Sequence, residues 1–425
     1  MAKKQKAKNR KRVRRIITPS HTRGYYRFSK DFPSVTDSEG YRDNELIVNS
    51  PAKKASVRRG LIILFVCVFA VTFFSFSVGF SLSKMPVSEK EESFSDTQVK
   101  LSINGTKAVC LSGEVLSADS VESIIGSLRI CGVNTVVIDF KDAAGNFYYK
   151  PSSNVPTDAL YMASEKADVV IKAFRDASIS VIARFACFAD DIYARNHQDE
   201  AAYVMIEPDS GSNEKIRTIW YNQGNDSHAW INPHSAEVQY YLHTAVTDIV
   251  KLNVDGIIFD YVTMPASALT ENVKFAGQIA EGADDAMASF ISVLNNTYKE
   301  QNTYSVVPSD VMLSALQEGI APDIFGAGCD YIVPDMRLSL IPDNSIVGTR
   351  QYVKAALSPA EFVTDYINAV TKLIKDSKIE IKMIPLLETS DTNGKQLNSV
   401  AVSDVDSYIM FNESDDYKSE NFVIS

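Results

Sequence analysis

The 425 residues, 45% hydrophobic and 23% charged, are ordinary for a folded protein and long enough for one large domain or two medium ones. The formal charge of −10 is unevenly spread: residues 1–59 carry 17 Lys+Arg against 5 Asp+Glu, residues 60–83 carry none, and the remainder stands at −22. So acidic a remainder excludes nucleic acid as its partner. The basic arm reads as a topogenic, unstructured tail that could touch anionic lipid or RNA.

In chain order, residues 1–59 form that tail and residues 60–83 a transmembrane helix. The run GLIILFVCVFAVTFFSFSVGFSLS matches the roughly 20 apolar residues that cross a bilayer. A cleaved signal peptide is disfavoured by the long basic arm, the length of the apolar run and the lack of a small-residue cleavage site. AKKASVRRG precedes the run and KMPVSEKEESFSD follows it, which places the N-terminus in the cytoplasm and the acidic bulk outside the cell membrane. Residues 84–103 are polar, without an apolar period, and read as an extracellular stalk.

From residue 104 to 425 short apolar runs alternate with amphipathic stretches. The runs TKAVCLSG, NTVVIDF, ISVIARFACF, VDGIIFD, DVMLSAL, CDYIVPDM, EIKMIPLLE and DSYIMFN are expected as strands. Helical periods lie near residues 117–130, 163–177, 234–252, 283–300 and 358–377. Eight strand-and-helix units over roughly 320 residues predict a TIM (β/α)8 barrel. A doubly wound sheet is the rival fold, but no GxGxxG or Walker motif follows the first strand. Cys67 falls in the apolar span. Cys110, Cys131, Cys187 and Cys329 lie far apart with no CxxC, which argues against a structural zinc. Cys110 and Cys131 could pair, and buried thiols fit equally well.

A barrel builds its site at the C-terminal ends of its strands, and several of these runs end in carboxylates. Asp139 ends the second, Asp260 the fourth in VDGIIFDYVTMP, Asp335 the sixth and Glu388 the seventh; Glu318 lies just past the fifth. Arg184, in VIARF, would point to the same end. Acetal hydrolysis needs one protonated carboxyl and one ionised carboxylate, and a neighbouring arginine keeps the second charged. Tyr148, Tyr149, Trp220, Tyr221, Trp230 and Tyr261, in or beside loops, could serve as platforms for sugar rings. A lone strand-end Asp is often only a helix cap or loop anchor. No regular Asp spacing, HxH, HExxH or GxSxG is present, so neither a metal, a cofactor nor an α/β-hydrolase elbow is expected. His234 reads as the start of a helix.

The motifs NTVVIDFKDAAGNFYY, ISVIARFACFAD, AWINPHSAEV, VDGIIFDYVTMP, CDYIVPDM, MIPLLE and SYIMFN, in that order, resemble a bacterial family of glycosyl hydrolase domains related to the α-amylase-like TIM barrels. The resemblance spans roughly residues 104–415. It implies a glycosidase in which Asp260 is the nucleophile, with Asp139, Lys141, Asp142 and Arg184 matching the motifs of the second and third strands. The chain departs from the family at Thr263 (an arginine there), Leu316 (an Asp after the fifth strand), Asp335–Arg337 (Met-Val-Tyr), Glu388 (Gln) and Ile258 (the amylase arginine).

Two functions are therefore expected. One is a membrane-anchored extracellular glycoside hydrolase acting on a cell-envelope or environmental polysaccharide. Asp260 is its nucleophile or base, Glu318, Asp335 or Glu388 its acid, and Asp139, Lys141, Asp142, Arg184, Trp220, Trp230 and Tyr261 contact the sugar. The other is a catalytically inactive glycan-binding or envelope scaffold protein on the same barrel, which the departures at Thr263 and Leu316 favour.

Overall fold

The computed structural model describes residues 105–423, apart from 153–154, 156, 208–214, 224–226, 267–269, 271, 280–281 and 390–394. The expected tail, membrane span and stalk lie outside the described residues. Among the described residues no helix is long and apolar enough to cross a membrane.

Nine parallel strands make the main sheet. They are β1 (Lys107–Leu111), β2 (Thr135–Lys141), β3 (Ser180–Ala186), β4 (Gly256–Asp260), β5 (Asn302–Val307), β6 (Tyr331–Pro334), β7 (Lys382–Met383), β8 (Leu386–Glu388) and β9 (Tyr408–Phe411). Their order across the sheet is β7-β6-β5-β4-β3-β2-β1-β9-β8. The two outermost members are pieces of one run, parted at Ile384 and Pro385. Pro385 has no N–H for the ladder, but its carbonyl accepts from Ile409 at 3.0 Å, while the Ile384 N–H reaches back to the Ile332 carbonyl at 2.9 Å. One run thus touches both β6 and β9, and the sheet curls back on itself as a barrel-like α/β fold.

Among the described residues eight α-helices accompany the sheet: α1 (Glu122–Ile130), α2 (Ala167–Asp176), α3 (Asp191–Asn196), α4 (Ala236–Lys251), α5 (Ala283–Thr297), α6 (Ser309–Glu318), α7 (Pro359–Ser377) and α8 (Lys395–Ala401). Their inward faces follow the 3.6-residue period. In α7, Phe362, Val363, Tyr366, Ile367 and Val370 are buried, each such apolar side chain contributing about 1.5–3 kcal/mol. Start signals are local: the Ser235 hydroxyl caps α4 by accepting from Val238, and Pro359 opens α7 with its φ preset. Antiparallel pieces at Tyr203–Ile206, Ile216–Ile219, Lys274–Phe275 and Gln278–Ile279 form a separate small sheet.

The expected fifth strand is a correction. DVMLSAL lies within α6, and the strand is the preceding NTYSVV. Apolar Val311, Met312, Leu313 and Leu316 fit either period, and the arbiter is Pro308, which ends β5 and opens the helix. Cys110, Cys131, Cys187 and Cys329 are all free and buried, so the disulfide alternative does not hold.

Side chains alternate about the sheet, save where the β2–β3 register slips after Asp139. Val137, Ile182, Ile258, Val306, Val333, Leu386 and Ile409 form an inner apolar cluster distinct from the larger core beneath the helices. The segment after β9 is pinned into the larger core by Tyr417. Its hydroxyl donates to the Cys110 carbonyl at 2.6 Å, lies 3.1 Å from the Met410 carbonyl and accepts from Asn412 N–H at 3.0 Å. Replacing Tyr417 with Phe strands those buried groups, and a urea titration should show a loss of about 1–3 kcal/mol with an unchanged slope.

Candidate active site

Residues two positions beyond the inner apolar cluster must point the same way, because strand side chains repeat with period two. Asp139 follows Val137, Arg184 follows Ile182 and Asp260 follows Ile258; Asp335, Glu388 and Phe411 follow Val333, Leu386 and Ile409. One polar layer therefore caps the apolar interior at the C-terminal strand ends. On β5 the corresponding position is Pro308, so that strand supplies no inward acid.

The strands β2, β3 and β4 are neighbours, with Asp139 opposite Arg184 and Ala186 opposite Asp260. Arg184 grips Asp260 Oδ2 through Nε at 2.9 Å and Nη2 at 2.6 Å. Its Nη1 reaches Asp139 Oδ1 at 3.3 Å. Both nitrogens belong to one planar guanidinium, so the two carboxylates lie within roughly 8 Å of each other. The second oxygen of Asp260, Oδ1, accepts the Tyr261 N–H at 2.7 Å. Tyr261 holds that geometry with a left-handed backbone, φ 54°. The two carboxylates differ in environment. Asp260 is buried, whereas the Asp139 side chain keeps 32% of its surface exposed. Burial of its inner part pushes the Asp139 carboxyl up from 3.8 to about 6; Arg184 opposes this, and Asp260, Asp142 and Asp415 reinforce it. Arg184, drawn by Asp260 and Asp139, stays firmly cationic despite burial.

These residues line a cavity of ≈ 310 Å³ with Arg337, His228 and Phe411. Arg337 forks onto Asp335, Nε at 3.0 Å and Nη2 at 2.6 Å, and its guanidinium lies 4.6 Å from the centre of the Phe411 ring. Glu388 is held by the Ser339 N–H at 2.8 Å and hydroxyl at 2.6 Å. Asp142 accepts from Asn146 and from the Tyr148 hydroxyl at 3.0 Å. His228 Nδ1 sits 3.1 Å from Asp191. Among the described residues no group of three or more His, Cys, Asp or Glu could hold a metal ion.

Several expected site residues sit elsewhere. Glu318 ends α6 on the exposed surface, where Ser314 donates to it at 3.1 Å. It faces a larger hollow of ≈ 650 Å³ beside Met264, Val311 and Ile320, whose acids Asp284, Glu318 and Asp323 belong to helices and turns. The smaller cavity holds the convergent strand ends and is the better candidate. Trp230 is 1% exposed and Trp220 7%; bridges from Ala189 to Trp230 and Ala201 to Ile231 draw this segment inward. Trp230 backs the Tyr261 ring at 6.2 Å and offers no face to a sugar. Tyr149 is buried too, its hydroxyl donating to the Ala245 carbonyl. Lys141, by contrast, borders the ≈ 310 Å³ cavity, next to a slip in the β2–β3 register between Asp139 and Lys141. Its ammonium turns to Asp190 at 2.9 Å and the Ala186 carbonyl at 2.9 Å, fully buried between Phe147 and Phe185. Asp190 also accepts from Tyr241 and caps α3 through Tyr193 N–H. Arg337, His228 and Phe411 were not foreseen as cavity residues. The parity of Asp335–Arg337 and Ile409–Phe411 carried the signal for two of them; nothing local marks His228.

The result is a curled, barrel-like α/β sheet with two carboxyls and an arginine gathered at its C-terminal strand ends, where barrels of this kind build their sites. Residues 108–417 match the model of the family described as "Putative glycosyl hydrolase domain", and the chain belongs to that family. Among solved structures it is similar to a hypothetical protein from Ruminiclostridium thermocellum (22% identity, TM-score 0.36, covering 46% of this chain and 96% of that one). It is also similar to the glycoside hydrolase domain of PelA from Pseudomonas aeruginosa (8% identity, TM-score 0.40, 74% and 97%). A third similar structure is Ega3 of Aspergillus fumigatus in complex with galactosamine (11% identity, TM-score 0.38, 73% and 93%). A comparison with curated proteins finds no match.

The buried pair gives a direct check on the placement of Lys141. Lys141→Met leaves Asp190 charged without its cation, and the free energy of unfolding should fall by about 3–5 kcal/mol. A loss under about 1 kcal/mol, the size of an exposed pair, would contradict the burial assigned to it.

Proposed function

We propose that this chain is a glycoside hydrolase on a closed (β/α)8 barrel, acting on a polysaccharide of the cell envelope or the surroundings. The observation that carries this reading is the Arg184 fork, which holds the Asp260 carboxyl against the cavity, within reach of a second carboxyl. Asp260 would act at the anomeric carbon, as nucleophile or as base for water. Arg184 and Tyr261 orient it, and Arg337 with Phe411 offers a donor and a ring face to the sugar. The test is Asp260→Asn against a panel of polysaccharides, scored by released reducing ends. Turnover should drop at least a thousandfold, in the range of about 10³–10⁶ seen when a nucleophile is removed, with near-UV circular dichroism unchanged.

Anchoring in the membrane with the barrel outside belongs to the same proposal. It is supported by the uncharged run at residues 60–83 and its basic N-terminal flank. Protease added to intact cells should then digest the barrel and spare a tag at the N-terminus. Digestion of the tag alone would reverse the orientation.

Glycan binding without cleavage is favoured by one feature: Asp260, Asp335 and Glu388 all have their oxygens engaged by protein donors. It predicts that a glycan binds the wild type and Asp260→Asn alike and is never cut.

A further inference from the structure

We propose that Asp139 is the proton donor of this site, on the hydrolase reading above. Three geometric facts single it out among the acids at the strand ends. It is the carboxylate tied to the same guanidinium as Asp260, so the two flank one space in the ≈ 310 Å³ cavity. Its only polar contact among the described residues is the long 3.3 Å one from Arg184 to Oδ1, which leaves Oδ2 open to a substrate oxygen. The alternatives are spent. Asp335 is clamped by Arg337, Glu388 by Ser339, Asp142 by Asn146 and Tyr148, and Glu318 is outside the cavity.

The electrostatic surroundings suit the role. Arg184 on β3 favours the anion. Asp260 on β4, Asp142 after β2 and Asp415 in the C-terminal tail disfavour it, as does burial, and the balance puts the carboxyl at about 6. Cys110 on β1 and Tyr148 are themselves pushed up by burial and stay neutral, and Lys141, His228, Tyr261 and Arg337 complete the titratable lining of the cavity. An acid near 6 retains its proton in a useful fraction at neutral pH. In the reaction the bond from the anomeric carbon to the glycosidic oxygen breaks, and the Asp139 proton goes to that leaving oxygen. One water is consumed: its hydroxyl ends on the anomeric carbon and its other proton restores Asp139.

A leaving group that needs no proton separates this role from a merely structural one. The detergent-solubilised full chain, as wild type, Asp139→Asn and Asp260→Asn, is assayed with 4-nitrophenyl and 2,4-dinitrophenyl glycosides of glucose, galactose and N-acetylglucosamine, in both anomeric forms. Asp139→Asn should lose about 10²–10⁴-fold on the 4-nitrophenyl substrate and only a few fold on the dinitrophenyl one. It should also lose the alkaline limb of the kcat/KM profile, which in the wild type has its midpoint near 6. Asp260→Asn should lose both substrates. Equal losses on both substrates in Asp139→Asn, or none, would overturn the assignment while the hydrolase reading stands. A wild type that cleaves none of the panel counts against the hydrolase reading and the proton donor together.

Stability gives a readout independent of turnover. The folded carboxyl titrates at about 6 against 3.8 unfolded, so its stabilising proton is fully held below about 4 and lost as pH rises through 6. Relative to wild type, Asp139→Asn should therefore gain in Tm at pH 7.5 compared with pH 4.5. An equal change at both pH values would mean that the side chain does not titrate in this way, and would overturn the proposal.

Discussion

A buried guanidinium must be met by carboxylates, and in this domain that requirement organises everything above the apolar interior. Arg184 sits on the middle one of three adjacent strands, which a parallel sheet spaces about 4.8 Å apart, so one planar fork can reach the acids on both flanks. The two contacts are unequal. Asp260 takes two nitrogens on a single oxygen at 2.6 and 2.9 Å, and Asp139 takes one at 3.3 Å. That inequality separates a tightly fixed carboxyl from one that is loosely held and raised toward neutrality. Two like acids acquire opposite chemical characters from one shared cation.

The layer beneath makes the arrangement possible. Val137, Ile182, Ile258, Val333, Leu386 and Ile409 fill the inside of the curled sheet, and the next residue of the same parity on each strand is polar or aromatic. The interior thus acts as a low-dielectric floor under a ring of charges, and each charge is answered locally: Arg337 by Asp335, Arg184 by Asp260 and Asp139, Glu388 by Ser339. The same logic applies behind the ring, where Lys141 and Asp190 neutralise each other among aromatic rings.

Most of the sheet was legible in the sequence because the strands are short apolar runs ending in acids, and a period of two carries from the run to the acid. Asp139, Arg184 and Asp260 were found in that way. What failed did so for physical reasons. DVMLSAL has apolar spacing compatible with either period, and the proline before it decides for helix. That error placed Glu318 near the strand ends and hid the fact that β5 offers Pro308 in the inward position. Lys141 shares parity with Asp139 and borders the same cavity, but beside a slip in register, invisible in one sequence, its ammonium is spent on Asp190 and the Ala186 carbonyl. Trp220 and Trp230 read as loop aromatics, yet bridges between distant segments fold them inward. Tyr417, after β9, ties its segment to the carbonyls of Cys110 on β1 and Met410 on β9, a long-range contact that no local pattern encodes.

Tyr261 has a consequence for how the protein can be improved. A side chain with a left-handed backbone holds roughly 1–2 kcal/mol of unfavourable conformational energy, which glycine would release. Yet the ring of Tyr261 walls the cavity, and its N–H secures Asp260. Glycine would relieve that strain only by giving up the ring's packing on Trp230 and the aromatic wall of the cavity. Durability and recognition compete here for a single residue.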